Sequence, residues 1–441
     1  MLSSAIERCR MAPLHHPEGI VLEVVGLIIE VGGLRAAVGD TLIIETSRTT
    51  AVEVEVIGFR ADRLVTTPLG SLSGIRQGAT VKHTHRGATI LAGDDLLGRV
   101  VDAFGRPMDG GPAITGHAHY PVHESPPSAF DRRAITQQFA TGVRVIDGIL
   151  PVGIGQRMGI FAGAGVGKST LLGMICRSSQ ADVNVVGLIG ERGRELNDFI
   201  RNSLGPEGLA RSVVVAVTGD QPPLLRARGA EAATAIAEYF RDQGKTVLLV
   251  MDSVTRYAMA MREAALAAGE PPATKGYPPS VFAALPRLLE RAGTGAQEGT
   301  ITALYTVLVE GDDMSDPIAD AVRGILDGHI VMSRTLAEKS HYPAIDVLQS
   351  ISRLAPEIAP EAILKSSNVV RELLAAYREA ADLIQVGAYQ AGSDPRVELA
   401  IKLMPQFDAY LRQSVGDRTP LAEARARLLM LAKLCHAGDR R

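Results

Sequence analysis

Tryptophan is absent from this chain of 441 residues, and aromatic residues together make up only 4% of it. We therefore expect hydrophobic cores built from aliphatic side chains. The chain has three cysteines, Cys9, Cys176 and Cys435, which stand far apart and match no zinc-binding spacing. This count and spacing exclude a disulfide framework and predict three reduced thiols.

The chain has neither a large excess of one sign of charge nor a long hydrophobic run. The 46 basic and 49 acidic side chains give a net charge of −3, so no overall electrostatic attraction draws the protein to nucleic acid. Residues 1–17 lack the apolar stretch of a secretory signal. The most apolar early run, Ile20–Val31, is interrupted by Glu23 and Glu30 and is too short to span a bilayer. These absences predict a cytoplasmic protein and leave a peripheral membrane association open.

The length predicts roughly two to four domains of ~150 residues each. After a short arm (1–18), residues 19–88 contain short runs rich in Val, Ile and Thr between Gly and Asp turns. This pattern is typical of a small closed β-barrel. The runs are Ile20–Val31, Asp40–Glu45, Ala51–Gly58, Arg63–Thr67 and Thr80–His83. A connector rich in Gly and Pro follows over residues 87–130.

The remainder of the chain changes character twice. From Thr141 to Leu354 apolar strands alternate with helical patterns, which predicts an α/β fold with a mostly parallel sheet covered by helices. Beyond Pro356 only helical periodicity remains, so the C-terminus is predicted to be a small helical domain. The predicted strands are Arg157–Ala162, Val183–Ile189, Ser212–Val217, Thr246–Asp252, Thr300–Val309 and His329–Met332. The predicted domains are 1–18 (arm), 19–88 (barrel), 89–355 (α/β, with its connector) and 356–441 (helical).

The strongest functional signal is the run Ala162–Ser169, which follows an apolar strand and leads into a helical pattern. A strand, a glycine-rich loop ending in Lys-Ser, and a helix are the context of a Walker A motif. Glycines let backbone N–H groups surround phosphate oxygens, and the helix N-terminus adds donors and a favourable dipole. Lys168 then reaches the β- and γ-phosphates, and the Ser169 hydroxyl suits Mg²⁺. The predicted nucleotide-binding residues here are Gly163, Ala164, Gly165, Val166, Gly167, Lys168, Ser169 and Thr170.

The motif departs from its usual form at one position. Ala162 stands where the first glycine is expected, at the end of the strand, where a methyl group is tolerated. A second element is needed for the metal. Asp252 ends an apolar run in the manner of a Walker B motif; alone it would serve equally well as a helix cap. With the glycine loop upstream, Asp252 becomes the second predicted Mg²⁺ ligand beside Ser169.

Spacing alone leaves four further residues open. Glu191, at a predicted strand tip, either activates water or begins a solvated, charged loop. Arg192, the next residue, either binds the γ-phosphate or belongs to the same loop. Arg353 follows the last sheet-like run and is either an arginine finger or an ordinary surface arginine. Tyr342 either stacks on adenine or packs in a core.

Several long motifs resemble the hexameric ATPases related to the catalytic β subunit of rotary ATP synthase. These motifs are 165–170 (GVGKST), 190–195 (GERGRE), 252–256 (DSVTR) and 341–346 (HYPAID). More narrowly, 276–282 (GYPPSVF), 309–313 (VEGDD) and 324–330 (GILDGHI) look like the ATPases of type III protein export. The resemblance extends from about Gly19 to Arg412.

This resemblance implies an N-terminal β-barrel, a central RecA-like P-loop domain and a C-terminal helical domain. It implies Mg-dependent ATP hydrolysis, with Lys168 and Ser169 at the phosphates and metal and Asp252 as the Walker B acid. It also implies Glu191 as the catalytic, water-activating carboxylate and Arg192 near the γ-phosphate. Tyr342 would lie beside adenine, and Arg353 would reach into the adjacent subunit.

The resemblance further implies partners and a location. A homo-oligomer, a hexameric ring, is expected in the cytoplasm at the inner-membrane export apparatus. It would meet a central stalk protein, an export gate, chaperones and export substrates, and a stator-like regulator at the N-terminal arm, which is short here. Residues 220–226 and 351–354 favour the flagellar system, whereas 303–305 and 313–314 favour the injectisome; the flagellar interpretation is preferred.

Three other classes of nucleotide-binding ring protein are alternatives to this one. A non-hydrolysing nucleotide-binding ring subunit carries Gln where this chain has Glu191. An RNA helicase ring needs a basic or aromatic RNA-binding surface, but residues 19–88 contain one aromatic, Phe59, so no nucleic-acid partner is expected. The synthase β subunit has an acidic C-terminal segment that this chain lacks.

Overall fold

The computed structural model describes residues 18–47, 49–84, 87–309, 313–390 and 392–438. The predicted arm with Cys9, apart from Glu18, and part of the motif at 309–313 lie outside these ranges. Cys176 and Cys435 are buried, unpaired thiols. None of the helices within the described ranges is both long and apolar enough to cross a membrane.

The first described segment forms the predicted closed barrel. Its six strands pair in the order β1-β2-β5-β4-β3-β6, and β6 closes on β1. The predicted run Ile20–Val31 is two strands rather than one, because Gly26, with φ of 58°, turns the chain back on itself. The strands are β1 (Gly19–Val25), β2 (Ile28–Gly32), β3 (Thr41–Glu45), β4 (Ala51–Arg60), β5 (Arg63–Pro68) and β6 (Thr80–His83).

Side chains of aliphatic residues fill the barrel, as the near absence of aromatics predicts. Val21, Ile29, Leu42, Val54 and Val81 are fully buried in one cluster. Successive residues of a strand point to opposite faces, so alternate positions of each strand supply this interior.

The connector is more ordered than its Gly and Pro content predicts. It contains β7 (Thr89–Ala92), β8 (Val100–Val101) and β9 (Ala118–Pro121). Strands β7 and β9 form an antiparallel ribbon, and β8 adds a parallel edge to the central sheet. These strands have two to four residues each, too short for hydrophobic alternation to be detected in the sequence.

The central region begins with two short paired strands, β10 (Gln138–Phe139) and β11 (Val152–Gly153), around helix α1 (Arg144–Ile149). The strands of the main sheet that follow are β12 (Arg157–Ala162), β13 (Val183–Glu191), β14 (Ser212–Thr218), β15 (Thr246–Asp252), β16 (Gly293–Thr294), β17 (Thr300–Leu308), β18 (Gly328–Met332) and β19 (Ile345–Ser352). The helices between them are α2 (Lys168–Ser178), α3 (Gly193–Asp198), α4 (Gly205–Ala210), α5 (Pro223–Asp242), α6 (Val254–Ala267), α7 (Pro279–Leu289), α8 (Pro317–Ile325) and α9 (Arg334–Glu338).

The sheet order is β19-β18-β12-β17-β15-β13-β14-β8, with β16 paired to β17. All pairs are parallel except β18–β19 and β16–β17, which confirms the predicted mostly parallel sheet. Residues 183–190 of β13 are buried without alternation. A strand buried on both faces needs helices on both sides, which the βα connections supply.

The C-terminal region is helical, as predicted. Its helices are α10 (Ala355–Ile358), α11 (Glu361–Gln385), α12 (Pro395–Leu411) and α13 (Leu421–Gly438). The region is tied to the central one through Arg144 of α1, whose Nε donates to Tyr410 O at 2.8 Å and whose N–H donates to Gln413 Oε1 at 2.7 Å. The positions of the domain boundaries themselves stay predictions.

A buried ion pair in the central region lies where the connector packs against it. Arg291 and Glu238, whose side chains are 3% and 5% exposed, form two hydrogen bonds, and Arg291 Nη1 also donates to Val122 O. Replacing Arg291 by Met leaves a buried carboxylate without its partner, which should lower stability by about 3–5 kcal/mol. Denaturation midpoints would measure the change.

The matched controls are a double variant and a surface pair. Arg291→Met with Glu238→Leu removes both charges and should recover most of the lost stability. Lys365→Met, in the exposed Lys365–Glu361 pair, should leave the midpoint almost unchanged. Equal midpoints for Arg291→Met and Lys365→Met would contradict the conclusion that Arg291 and Glu238 form a buried, stabilising ion pair.

Candidate functional site

The glycine loop lies between β12 and α2, in the predicted order of strand, loop and helix. Ala162 is the last residue of β12 and is buried in the same hydrophobic cluster as Val166 of the loop, so its methyl group is accommodated. Gly165 and Gly167 have φ of 78° and 89°, a backbone conformation that glycine adopts without strain. Lys168 is the first residue of α2, so the free N–H groups of that helix face the loop.

Asp252, the last residue of β15, meets Lys168 across the sheet edge. Lys168 Nζ bonds Asp252 Oδ1, and both side chains are largely buried. Thr306, on the intervening strand β17, donates its hydroxyl to the same carboxylate oxygen at 2.7 Å. Sequence reasoning missed Thr306, because nothing marks it within an apolar strand.

Glu191 is the last residue of β13, the strand beside β15. Burial, followed by the Asp252 charge and a hydrogen bond to Glu195, raises the pKa of Glu191 to about 7. The same hydrogen bond lowers the pKa of Glu195. No donor in the described part of the chain reaches Glu191 Oε1, which is buried. A carboxyl that changes charge near neutral pH and has one free oxygen is suited to accept a proton from water.

These groups line a cavity of about 490 Å³, named here the Glu191 cavity. Its wall combines the glycine loop and Lys168 with Ser169, Thr170, Glu191 and Asp252. Arg192 lies at its rim, with an 85% exposed side chain that is 3.8 Å from Glu195. Further residues in the wall, which sequence reasoning did not assign, are Glu195, Leu196, Phe199, Arg256 and Leu308.

Arg256 is the most informative of these additions. It lies in the first turn of α6, four residues after Asp252, and its Nε has no partner among the described residues. The sequence could have signalled it, since a residue one turn into the helix after a strand-end acid returns to the same sheet edge. Its guanidinium adds a second positive charge to the cavity that Lys168 lines.

A second cavity of about 750 Å³, the Tyr342 cavity, shares Gly165, Gly167 and Thr170 with the first. Tyr342 is 45% exposed, and a Cβ built at Gly167 would lie 3.5 Å from its ring. The tyrosine is therefore not a core aromatic. The opposite wall comes from the C-terminal region, through Arg412, Gln413, Ser414 and Val415, which sequence reasoning did not assign.

Arg353 is the one candidate that the structure does not bring to the glycine loop. Strand β19 runs antiparallel to β18, so Ile345 pairs with Met332 near the loop, whereas Ser352 pairs with Gly328 at the other edge. The eight residues of β19 span about 23 Å. Arg353 therefore lies exposed at the opposite edge of the sheet, outside the wall of either cavity.

The donor set fits a metal that enters together with a nucleotide. Within the described ranges, no group of three or more His, Cys, Asp or Glu side chains is placed to hold a metal ion. Mg²⁺ is commonly bound by one or two protein oxygens, with phosphates and water completing its six ligands. Ser169 and the buried Asp252 carboxylate line the same cavity and meet that requirement.

The glycine loop, strand-end acids and helix-covered parallel sheet define a P-loop nucleotide-binding protein. Comparison with protein families supports this class. Residues 142–352 match the ATP synthase alpha/beta family, nucleotide-binding domain, and residues 359–430 match the T3SS EscN ATPase C-terminal domain.

Individual relatives match almost the whole chain. The flagellum-specific ATP synthase of Bacillus subtilis is 49% identical over 430 residues, covering 97% of this chain and 98% of the relative. That of Salmonella typhimurium is 53% identical over 411 residues, covering 91% and 90%. The type 3 secretion system ATPase of Xanthomonas euvesicatoria is 50% identical over 396 residues, covering 90% and 89%.

A solved structure confirms the fold class. The assembled ATPase EscN from the enteropathogenic E. coli type III secretion system superposes with a TM-score of 0.87 at 44% identity, covering 94% of this chain and 100% of that one. The chain belongs to the family of flagellum-specific ATP synthases and type 3 secretion system ATPases. It is a P-loop ATPase, as the resemblance predicted.

The raised pKa of Glu191 makes a prediction about pH. Its carboxyl is protonated below about pH 7 and ionised above it, and only the ionised form accepts a proton. We expect kcat/KM for ATP to fall about tenfold from pH 8 to pH 6, with the inflection near the pKa of Glu191. Steady-state rates across this range would measure it.

A substitution at Glu195 is the control, because ATP itself titrates near this range. Glu195→Gln removes a negative charge that raises the pKa of Glu191, so the inflection should move to lower pH. An inflection at the same pH in both proteins would assign it to the substrate or to another group.

Proposed function

We propose that this chain hydrolyses Mg-ATP, at sites completed between the subunits of a ring, to energise type III protein export in the flagellar system. The observation that carries the proposal is the grouping of Lys168, Asp252 and Glu191 around one cavity next to the glycine loop. This grouping supplies a phosphate cradle, a metal-binding carboxylate and a base in a single site.

In the proposed binding mode the triphosphate lies along the glycine loop. The backbone N–H groups of residues 163–169 and the Lys168 ammonium hold the phosphates, so the Lys168–Asp252 contact is exchanged for a phosphate contact. Ser169 and Asp252 would hold Mg²⁺ through their oxygens, and the bound ion would supply positive charge to the phosphates. The adenine enters the Tyr342 cavity and stacks on the exposed tyrosine face.

Hydrolysis requires one proton acceptor and one bond exchange. Glu191 orients a water molecule and accepts its proton while the water oxygen bonds to the γ-phosphorus. The bond from that phosphorus to the bridging oxygen breaks, and ADP leaves with the electron pair. Arg192 and Arg256 provide positive charge next to the transferring phosphoryl group. The presence of Glu191 argues against the non-hydrolysing class of ring subunit.

The position of Arg353 supports the proposal that the subunits form a ring. Lying about 23 Å of strand away from its own glycine loop, it is suited to act on the ATP of a neighbouring subunit instead. The solved relative EscN is assembled, and a second structure holds it in complex with its central stalk EscO. By likeness we propose a homo-hexameric ring with a central stalk for this chain.

The flagellar assignment rests on the relatives. Proteins named flagellum-specific ATP synthase are 53%, 52% and 49% identical to this chain. An injectisome ATPase is the second candidate, supported by the 50% identity to the Xanthomonas protein and by EscN. In either system we propose a cytoplasmic position at the inner-membrane export apparatus. The proposed partners there are an export gate, chaperones and exported proteins, with a stator-like regulator on the N-terminal arm.

Replacing Glu191 by Gln tests hydrolysis and export together. The variant should bind ATP as tightly as the parent, because the glycine loop and Lys168 are unchanged, and should lose at least about 10²-fold in kcat. Introduced into the native host, it should reduce the secretion of flagellar proteins into the medium.

The same strain decides between the two systems. Reduced flagellar secretion with an unaffected injectisome supports the flagellar assignment, and the reverse result supports the injectisome. Unchanged kcat in the purified variant would remove Glu191 from the catalytic site altogether.

Replacing Arg353 by Ala tests the shared site. The specific ATPase activity of the parent should climb with protein concentration as subunits associate, whereas Arg353→Ala should bind nucleotide normally and lack this increase. Arg353→Lys keeps the charge and loses the planar fork, so it should recover only part of the increase. A full increase in the alanine variant would refute the trans role.

A further inference from the structure

The side chain and backbone of Arg353 both bind carbonyls at the C-terminal end of α8 and in the turn that follows it. Nη1 donates to Leu326 O at 3.0 Å, Nη2 donates to Arg323 O at 3.2 Å, and the backbone N–H donates to Asp327 O at 3.0 Å. Carbonyls at the C-terminal end of a helix lack partners within the helix and favour a cation. Two of the five guanidinium N–H groups are used in this way, which leaves three to face a neighbour.

The carboxylate of Asp327 binds this turn to the central sheet. Arg157 donates to it three times, each at 3.0 Å: from the backbone N–H and Nε to Oδ2, and from Nη2 to Oδ1. In return the Asp327 N–H donates to Arg157 O at 3.0 Å. Arg157 is the first residue of β12, and its side chain, 14% exposed, also pairs with Glu290.

We infer that Asp327 is a positioning residue for Arg353. By binding Arg157, it fixes the turn and the adjoining helix end, where two carbonyls, those of Arg323 and Leu326, orient the Arg353 guanidinium toward the ATP of the next subunit. The carbonyl of Asp327 itself holds the Arg353 backbone N–H. The inference rests on the proposed trans role of Arg353. It adds that the Asp327 carboxylate holds the Arg353 guanidinium in the orientation which that role requires.

Positioning matters here because the effect of a transition-state charge depends steeply on its location. A displacement of about 1 Å can lower a rate by about 10²-fold. Asn at position 327 has nearly the same shape and keeps one acceptor oxygen. It cannot form the charged, two-oxygen pair with Arg157, so the turn loses its fixed orientation while the fold is retained.

A mixed-ring experiment separates the finger from the site that it serves. Parent protein, kept at a concentration where it is barely active, is mixed with excess Lys168→Ala subunits, which have a disabled site and an intact finger. Their fingers should raise the activity of the parent. Subunits carrying Lys168→Ala with Asp327→Asn should raise it roughly tenfold less.

The matched control is Lys168→Ala with Asp320→Asn. Asp320 lies on α8 and forms an exposed ion pair with the side chain of Arg323, not with the carbonyl that Arg353 binds. This control should stimulate as well as Lys168→Ala alone. Homogeneous Asp327→Asn protein should show a lower kcat with an unchanged KM for ATP, and the decrease should exceed any loss of folded protein measured by circular dichroism. General destabilisation would lower the apparent kcat only in proportion to the folded fraction.

The two proposals fail differently. If Lys168→Ala with Arg353→Ala stimulates fully, the trans role of Arg353 is wrong. If that protein fails to stimulate but the Asp327→Asn protein stimulates fully, Arg353 acts in trans and the positioning role of Asp327 is wrong. Failure of the Asp327→Asn subunits to enter mixed rings, measured by sedimentation, would also overturn the inference, because Asp327 would then serve assembly.

Discussion

The contact between Lys168 and Asp252 joins two parts of the chain that are 84 residues apart. It forms because β12 and β15 run parallel, with β17 between them, so that both strands end at one edge of the sheet. Burial, and after it the charge of Asp252 held at this edge, raises the pKa of Glu191 on the next strand. The proposed chemistry of the site thus depends on the parallel register of β12, β17, β15 and β13.

The antiparallel direction of strand β19 separates a candidate residue from the site instead of bringing it there. Strand β19 is antiparallel and carries Arg353 away from the glycine loop to the far edge of the sheet. A group that supports catalysis from that position must serve a different copy of the chain. Strand β12 connects the two edges, since Arg157 binds the turn that holds Arg353 and Ala162 leads into the glycine loop. In the proposed mechanism, the two ends of one strand therefore serve two sites.

Sequence patterns predicted the fold well where periodicity is long. The aliphatic runs of the barrel and the strands from Arg157 to Met332 lie within a few residues of their predicted positions. The sequence indicates only a connector rich in Gly and Pro, with no strand named in it, yet Thr89–Ala92 and Ala118–Pro121 pair with each other. Partners that are 26 or more residues apart leave no local signal, because each strand is short and stabilised only by the other.

The sequence by itself determined the glycine loop and its context, because strand, loop and helix are contiguous and each needs only local residue types. It also determined membership of the ATPase class through Asp252 and the run that begins at Glu191. Tertiary structure alone decided that Thr306 bonds Asp252, that Tyr342 lies beside Gly167, and that Arg353 lies at the far edge. These relationships depend on strand order and direction, which arise from packing between distant segments and are written in no single stretch of sequence.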